Sequence, residues 1–295
     1  MGMNFFPSRW PIMCAVMNGV SDLNLALAVH AAGAMPSLMI TGADKDQQID
    51  AALNEFKHCT GHANIVLQIS YDDLINSSIP RLLRQYRVSH VELFGTLNSL
   101  GMTTVGEFDH MQHDPLIAKG IQFINSISKI IMRVLTPSDT SPIDAYAVKG
   151  HDGAGFGGKL STSDLFDQQK HRTPSMPLIA YGGIGCPGAV TDYIRRGAAA
   201  VAVGTMFAAT KESCVAETTK QHMVGSSADS LTKFASSQQA LVLGDVSEDH
   251  TPNHQMSLDQ GIAGQGGLVY AGTAIDHVTK IRTVQEVVDY LTSEL

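Results

Sequence analysis

The 295-residue sequence lacks the features that mark several classes of protein. Its four cysteines form no CxxC pair and have no zinc-finger spacing, which argues against a disulfide scaffold and against a structural zinc site. No stretch of about 18 consecutive apolar residues is present, so we expect no membrane-spanning helix. Arg9 is the only cation near the N-terminus and no long apolar segment follows it, so we expect no signal peptide and a cytoplasmic protein.

An excess of basic residues is also absent, since the formal net charge is −8. Nucleic acids and anionic membranes are bound by basic surfaces, so we expect neither as a partner. The composition, 44% hydrophobic and 16% charged residues, is that of a folded protein with a large core. A small molecule is the expected partner, and no pattern in the sequence favours a particular oligomeric state.

The sequence alternates short apolar segments with longer amphipathic ones. The apolar segments predict strands at 11–17, 36–41, 64–70, 90–95, 121–127, 145–150, 177–183 and 199–205. The amphipathic segments predict helices at 22–32, 44–58, 72–86, 109–119, 162–170 and 187–196. Continuously apolar strands that alternate with helices indicate a parallel sheet buried on both faces. Eight such strands predict an α/β fold of the (β/α)8 TIM barrel type, with an open doubly wound sheet as the alternative.

The alternation ends after the eighth strand. Residues 207–243 have a helical pattern, and glycine, aspartate, histidine and proline are frequent after them, before an amphipathic helix at 283–295. We therefore predict a barrel made of residues 1–206 and 274–295. A helical and irregular lobe, residues 207–273, is predicted to be inserted after strand eight and to lie over the barrel mouth.

Three glycine-containing turns follow predicted strands six, seven and eight. They are "AVKGHDGAGFGG" at 147–158, "YGGIG" at 181–185 and Gly204–Thr205. In this fold the loops at the carboxyl ends of the strands build the active site, and those after strands seven and eight commonly bind phosphate. Glycine lets the backbone approach a ligand, although barrel loops also use glycine for their turns alone. The three turns together predict a phosphate-bearing ligand.

Candidate acid–base, nucleophilic and metal-binding groups are few. His151 is the candidate catalytic residue, because imidazole exchanges protons near neutral pH; the alternative is that it only holds the loop. Cys186 is better explained as a structural cysteine, since nothing in the sequence pairs it with a base. Asp249, His250 and His254 contain metal-ligand atoms, but a surface loop explains them better, and we predict no metal site.

Several motifs resemble the nitronate monooxygenase (2-nitropropane dioxygenase) family, which consists of FMN-dependent barrels and includes enoyl-ACP reductases. They are "PIMCAVMNGVSDLNLALAVHAAGAMPSL", "VKGHDGAGFGG", "PLIAYGGIGCPGAVTDYIRRGAAAVAVGTMFAATKES" and "GIAGQGG". The resemblance implies bound FMN, with its phosphate held by Gly182, Gly183, Gly204 and Thr205. It implies that the ring system contacts Ala15, Met17, Asn18, Gln68 and Lys149, and that Gly150, Gly155 and Gln265 also contact the cofactor. For Lys149, a surface position beside the loop is the alternative.

One departure from the family bears on the chemistry. The motif after strand six usually ends in Gly-Gly-His, whose histidine is the base in family members, and Phe156 occupies that position here. The resemblance implies an FMN-dependent oxidoreductase that oxidises a small substrate, with oxygen as the electron acceptor. The alternatives are an enoyl reductase that uses NAD(P)H, and a flavin-binding barrel without catalytic activity.

Overall fold

The computed structural model describes residues 5–94, 115–138, 143–233, 238–243 and 254–295. Its strands are β1 (Ile12–Cys14), β2 (Ser37–Leu38), β3 (Val66–Ile69), β4 (His90–Leu93), β5 (Lys129–Val134), β6 (Ala145–Lys149), β7 (Gly155–Phe156), β8 (Leu178–Tyr181), β9 (Ala200–Val203), β10 (Leu231–Lys233), β11 (Gln238–Leu243) and β12 (Gly267–Val269). Its α-helices are α1 (Leu23–Ala31), α2 (Lys45–Thr60), α3 (Tyr71–Asn76), α4 (Ile79–Tyr86), α5 (Pro115–Asn125), α6 (Thr162–Arg172), α7 (Pro187–Arg195), α8 (Thr205–Ala208), α9 (Glu217–Val224), α10 (His254–Ile262) and α11 (Val284–Leu291). Two short 3₁₀ helices lie at Ala228–Ser230 and Thr273–His277.

Eight of the strands form one parallel sheet, in the order β1-β9-β8-β6-β5-β4-β3-β2. The two ends of this order meet: Met13 bridges Met35, and the Cys14 amide donates to the Met35 carbonyl at 2.8 Å. The sheet is therefore closed on itself, which confirms the predicted (β/α)8 TIM barrel and rules out the open doubly wound sheet.

Helix ends follow local sequence signals. The Asp22 side chain accepts from the Leu25 amide and begins α1, and Gly61, at φ 79°, ends α2 in the left-handed conformation. Thr283 and Glu286 form a capping box at the start of α11. The helices predicted at 22–32, 44–58, 162–170 and 187–196 lie within two residues of observed helices. The single helix predicted at 72–86 is wrong in part, because α3 and α4 share that segment.

The predicted fifth strand, 121–127, is wrong. Most of that segment belongs to α5, whose buried residues Ile117, Ile121 and Ile124 are spaced by four and three positions, as one face of a helix requires. The fifth strand is β5, which begins at Lys129. Of the helix predicted at 109–119, residues 109–114 lie outside the described residues.

The segment after β9 contains a sheet as well as helices, so the helical pattern predicted over 207–243 is wrong in part. Strands β10, β11 and β12 pair antiparallel in that order, and β7, from the loop after β6, pairs with β11. Pairing with partners far away in the sequence outweighs the local helical pattern there. The domain boundaries themselves remain a prediction.

The barrel interior is lined by alternate residues of the strands. Ala145, Ala147, Ile179 and Ala200 belong to one interior cluster, whereas the residues between them pack outward against the helices. The small alanines of β6 and β9 leave space in the barrel. Within the described residues, no helix combines the length and the apolar character needed to cross a membrane.

Candidate active site

A cavity opens at the carboxyl ends of the barrel strands. It encloses about 1100 Å³ of space between atoms, counting the solvent at its mouth. Strand-end residues form its floor and one wall, and Phe156, Leu258, Ile262, Val269 and Tyr270 form the opposite, largely apolar wall. Because that wall comes from the lobe and from β7, the lobe and the barrel build the cavity together.

Most of the residues predicted to bind a cofactor line this cavity. They are Ala15, Met17, Asn18, Lys149, Gly155, Gly182, Gly183, Gly204 and Thr205. Three others do not line it. Gln68 donates from Nε2 to the Phe94 carbonyl at 2.8 Å, and Gly150 packs against the start of α6. The backbone N–H of Gln265 donates to the Gln260 carbonyl at 2.9 Å.

Gly183 and Gly204 are glycines for two different structural reasons. Gly183 has a φ of 71°, and a Cβ there would lie 2.9 Å from the Asp152 Cβ, so loop packing alone requires glycine. Gly204 has an ordinary φ of −110°. A Cβ on Gly204 would stand 3.3 Å from the Ala15 Cβ and 3.5 Å from the Met17 Sδ, among residues that line the cavity. A side chain on Gly204 would therefore crowd Ala15 at this wall of the cavity.

A group of charged residues lies inside the barrel at the cavity floor. Glu92 and Arg133 form an ion pair, and Arg133 Nη2 donates to the Tyr181 hydroxyl at 3.2 Å. The guanidinium is stacked between two rings, 4.3 Å from the Phe94 centroid and 4.8 Å from the Tyr181 centroid. The Lys149 ammonium lies over the Tyr181 ring at 5.2 Å. All four polar residues are buried.

The electrostatics of the floor follow from burial. Burial holds the pKa of Lys149 well below its usual value, and Arg133 lowers this pKa further while Glu92 opposes the shift. Burial also raises the pKa of Glu92, against the stabilising effect of Arg133 on the carboxylate. A negative charge near Lys149 would oppose these effects and would favour its ammonium form.

The structure does not place His151 at the cavity. Its side chain is 46% exposed, and Nδ1 lies 3.2 Å from an Asp152 carboxylate oxygen. Asp152 accepts from the Thr162 amide at 2.6 Å and so fastens the loop to α6. Phe156, at the position of the family histidine, does line the cavity. A catalytic role for His151 therefore stays a prediction without support from its position.

Sequence reasoning missed Glu92, Arg133 and Tyr181. The signal was present, because Glu92 in "HVELFG" and Arg133 in "KIIMRV" each lie inside a largely apolar segment. A charge in a buried parallel strand has to be paired inside the barrel. Arg133 was overlooked because its strand was assigned eight residues too early.

Among the described residues, one group of metal-ligand side chains lies close together: Glu55, His58 and Cys59, exposed on α2 and not part of the cavity lining. Asp249 and His250 lie outside the described residues. No metal ligation is inferred for the candidate active site.

A closed (β/α)8 barrel with a deep cavity at the carboxyl ends of its strands is the arrangement of a TIM-barrel enzyme. The nitronate monooxygenase family model matches residues 102–294, and the chain belongs to this family. It is accordingly a flavin-dependent oxidoreductase. No curated protein sequence matches the chain significantly.

Solved structures share the fold over nearly the whole chain. FabK from Thermotoga maritima is 21% identical, with a TM-score of 0.79 over 97% of this chain and 93% of FabK. A nitroalkane oxidase from Streptomyces ansochromogenes is 19% identical, with a TM-score of 0.73 over 98% of this chain and 96% of that one. The enoyl reductase domain of MlnA from Bacillus amyloliquefaciens is 12% identical, with a TM-score of 0.69 over 98% and 95% of the two chains.

Proposed function

We propose that the cavity binds FMN and that the enzyme oxidises a small nitronate-type anion, with oxygen as the electron acceptor. The observation that carries this proposal is the combination, in one cavity, of the polar floor residues Arg133 and Lys149 with a wall at Gly204 that carries no side chain. The floor suits the polar edge of the ring system, and the strand-end turns at Gly183 and Gly204 suit the phosphate. Bound FMN would supply the electron transfer, and the protein would orient the cofactor and the substrate and set the electrostatic potential around them.

Different lining residues would contact the cofactor and the substrate. Ala15 and Met17, which follow β1, would lie beside the ring system, and Lys149 would face its polar edge. Phe156, Leu258 and Ile262 on the lobe side leave an apolar pocket for a small substrate and exclude water from it. Among the described lining residues there is no histidine, aspartate or glutamate that could remove a carbon-bound proton.

The FMN assignment is tested by graded substitutions at Gly204. We expect Gly204→Ala to weaken FMN binding and Gly204→Val to weaken it by at least about tenfold, or about 1.4 kcal/mol, because the side chain enters the cavity. Gly188→Val is the matched control, since a Cβ there meets only the Glu294 Oε2 at 3.9 Å. Fluorescence titration gives the Kd, and circular dichroism checks folding. Unchanged affinity in a folded Gly204→Val protein would place FMN elsewhere.

The substrate assignment is tested with one compound in two ionisation states. We expect kcat/KM for a preformed nitronate to exceed that for the neutral nitroalkane by at least about tenfold, since general-base catalysis typically contributes more than this. His151→Ala tests the base candidate that the sequence suggested: a loss confined to the neutral substrate would assign that role to His151. Equal rates for the two ionisation states in the wild type would contradict the proposal.

An enoyl reductase that uses NAD(P)H is the second candidate function. The apolar lobe wall favours it, because Phe156, Leu258 and Ile262 would also accommodate an acyl chain. Anaerobic mixing of the loaded enzyme with NADH or NADPH separates the two. Rapid bleaching of the flavin would favour the reductase, and bleaching by the nitronate alone would favour the oxidase. If neither reagent reduced the flavin, the chain would be a flavin-binding barrel without these activities.

A further inference from the structure

Lys149 stands where the barrel floor meets the cavity. It is the last residue of β6, its side chain is 6% exposed, and it lines the cavity. The titratable groups that face it come from three other strands of the barrel: Glu92 on β4, Arg133 on β5 and Tyr181 on β8. Within the described part of the chain, no acidic group faces Lys149 alone, because the Glu92 carboxylate is already paired with Arg133.

The charge of this cluster depends on Lys149. Arginine keeps its proton in proteins, so the Arg133–Glu92 ion pair contributes no net charge. A protonated Lys149 would leave one uncompensated positive charge in a buried place, and its pKa is lowered by burial and by Arg133. With an uncharged occupant in the cavity, the neutral amine is therefore favoured. A negative charge in the cavity would favour the ammonium instead.

We propose that Lys149 takes up a proton when the occupant of the cavity becomes negatively charged, so that the floor matches the charge of the cofactor in each redox state. The inference rests on the proposed binding of FMN in this cavity. In the balanced step, a reduced nicotinamide would be oxidised and would pass a hydride, which is two electrons and one proton, to bound FMN. Bound FMN would thereby gain one negative charge. A second proton passes from solvent to the Lys149 Nζ.

The dependence of the midpoint potential on pH reports this proton. For a two-electron couple a tenfold change in the equilibrium constant is 29.6 mV, so each proton taken up with two electrons contributes about 30 mV per pH unit. We expect about 59 mV per pH unit in the wild type between the pKa of Lys149 with the oxidised cofactor and its pKa with the reduced cofactor, and about 30 mV per pH unit in Lys149→Met at the same pH values. Potentials are measured against reference dyes during anaerobic reduction.

Two further variants separate proton uptake from a loss of structure. Lys149→Arg keeps a permanent positive charge, so we expect the same slope as in Lys149→Met, about 30 mV per pH unit. Its midpoint potential should be higher than that of Lys149→Met at every pH, because the charge stabilises the reduced cofactor. Lys159→Met removes an exposed lysine from the same loop and should keep the wild-type slope. If losing Lys149 only disturbed the structure, Lys149→Met and Lys149→Arg would not have equal slopes together with midpoint potentials on opposite sides of the wild-type value.

The outcomes distinguish the inference from the proposed function. Failure of all variants and of the wild type to bind FMN would refute the proposed function. If FMN binds but wild type and Lys149→Met have the same slope at every pH, Lys149 takes up no proton and the inference is wrong. A slope of about 59 mV that persists in Lys149→Met would assign the second proton to the cofactor ring rather than to the protein.

Discussion

Arg133→Met is expected to lower the free energy of unfolding by about 3–5 kcal/mol, because it leaves the Glu92 carboxylate buried without its partner. Glu92 is fully buried and Arg133 is 5% exposed, so the carboxylate depends on protein groups for its compensation. The substitution also removes the cation–π contacts of the Arg133 guanidinium with the Phe94 and Tyr181 rings. The carboxyl group can lessen the cost by taking up a proton.

This proton gives the prediction a pH dependence. Without Arg133, the pKa of Glu92 in the folded state rises further above its unfolded value, so the variant loses stability as the pH rises. Urea unfolding across pH gives the comparison. Arg84→Met, an exposed arginine on α4, serves as the control and should change little. A cost below about 1 kcal/mol at neutral pH, typical of a surface pair, would show that the ion pair is not buried in solution.

The wild type is expected to lose about 3 kcal/mol of stability through His90 alone as the pH falls from about 6.5 to 4. Burial and, to a smaller extent, the nearby Lys129 lower the pKa of His90 to about 4. The fold therefore favours the neutral ring, which packs edge-on against Phe5 and Phe6 with centroids 5.3 and 5.0 Å away. Because the folded pKa lies below the unfolded one, this contribution is complete above pH 6.5 and is lost on acidification.

The difference in stability between wild type and His90→Gln isolates this contribution. Glutamine does not titrate, so the wild-type advantage should shrink on acidification across that range, whatever other groups do. Chemical unfolding at several pH values measures this difference. A constant difference between wild type and His90→Gln would mean that the ring titrates alike in the folded and unfolded chains.

The barrel was predictable because its strands are continuously apolar and are separated by capped helices. The error at 121–127 arose from a short apolar segment, for which strand and helix cannot be distinguished without the long-range contacts. The same applies to β10 and β11, whose pairing partners lie far away in the sequence. In both places tertiary contacts decide the structure, and local pattern does not.

The candidate site was predictable where it depends on backbone. Gly183 and Gly204 could be located because glycine turns at strand ends are visible in the sequence. The pairing of Glu92 with Arg133 was not predictable, since it depends on which strands are neighbours and on which side chains point inward. The apolar wall formed by the lobe was missed for the same reason.

The central claim is that FMN occupies the cavity between the strand ends and the lobe, and a crystal structure of the protein grown with FMN tests it most directly. We predict the phosphate within hydrogen-bonding distance of the backbone amides at Gly183 and Gly204, and the polar edge of the ring beside Lys149. FMN bound outside this cavity, or a cavity that stays empty at saturating FMN, would contradict the account.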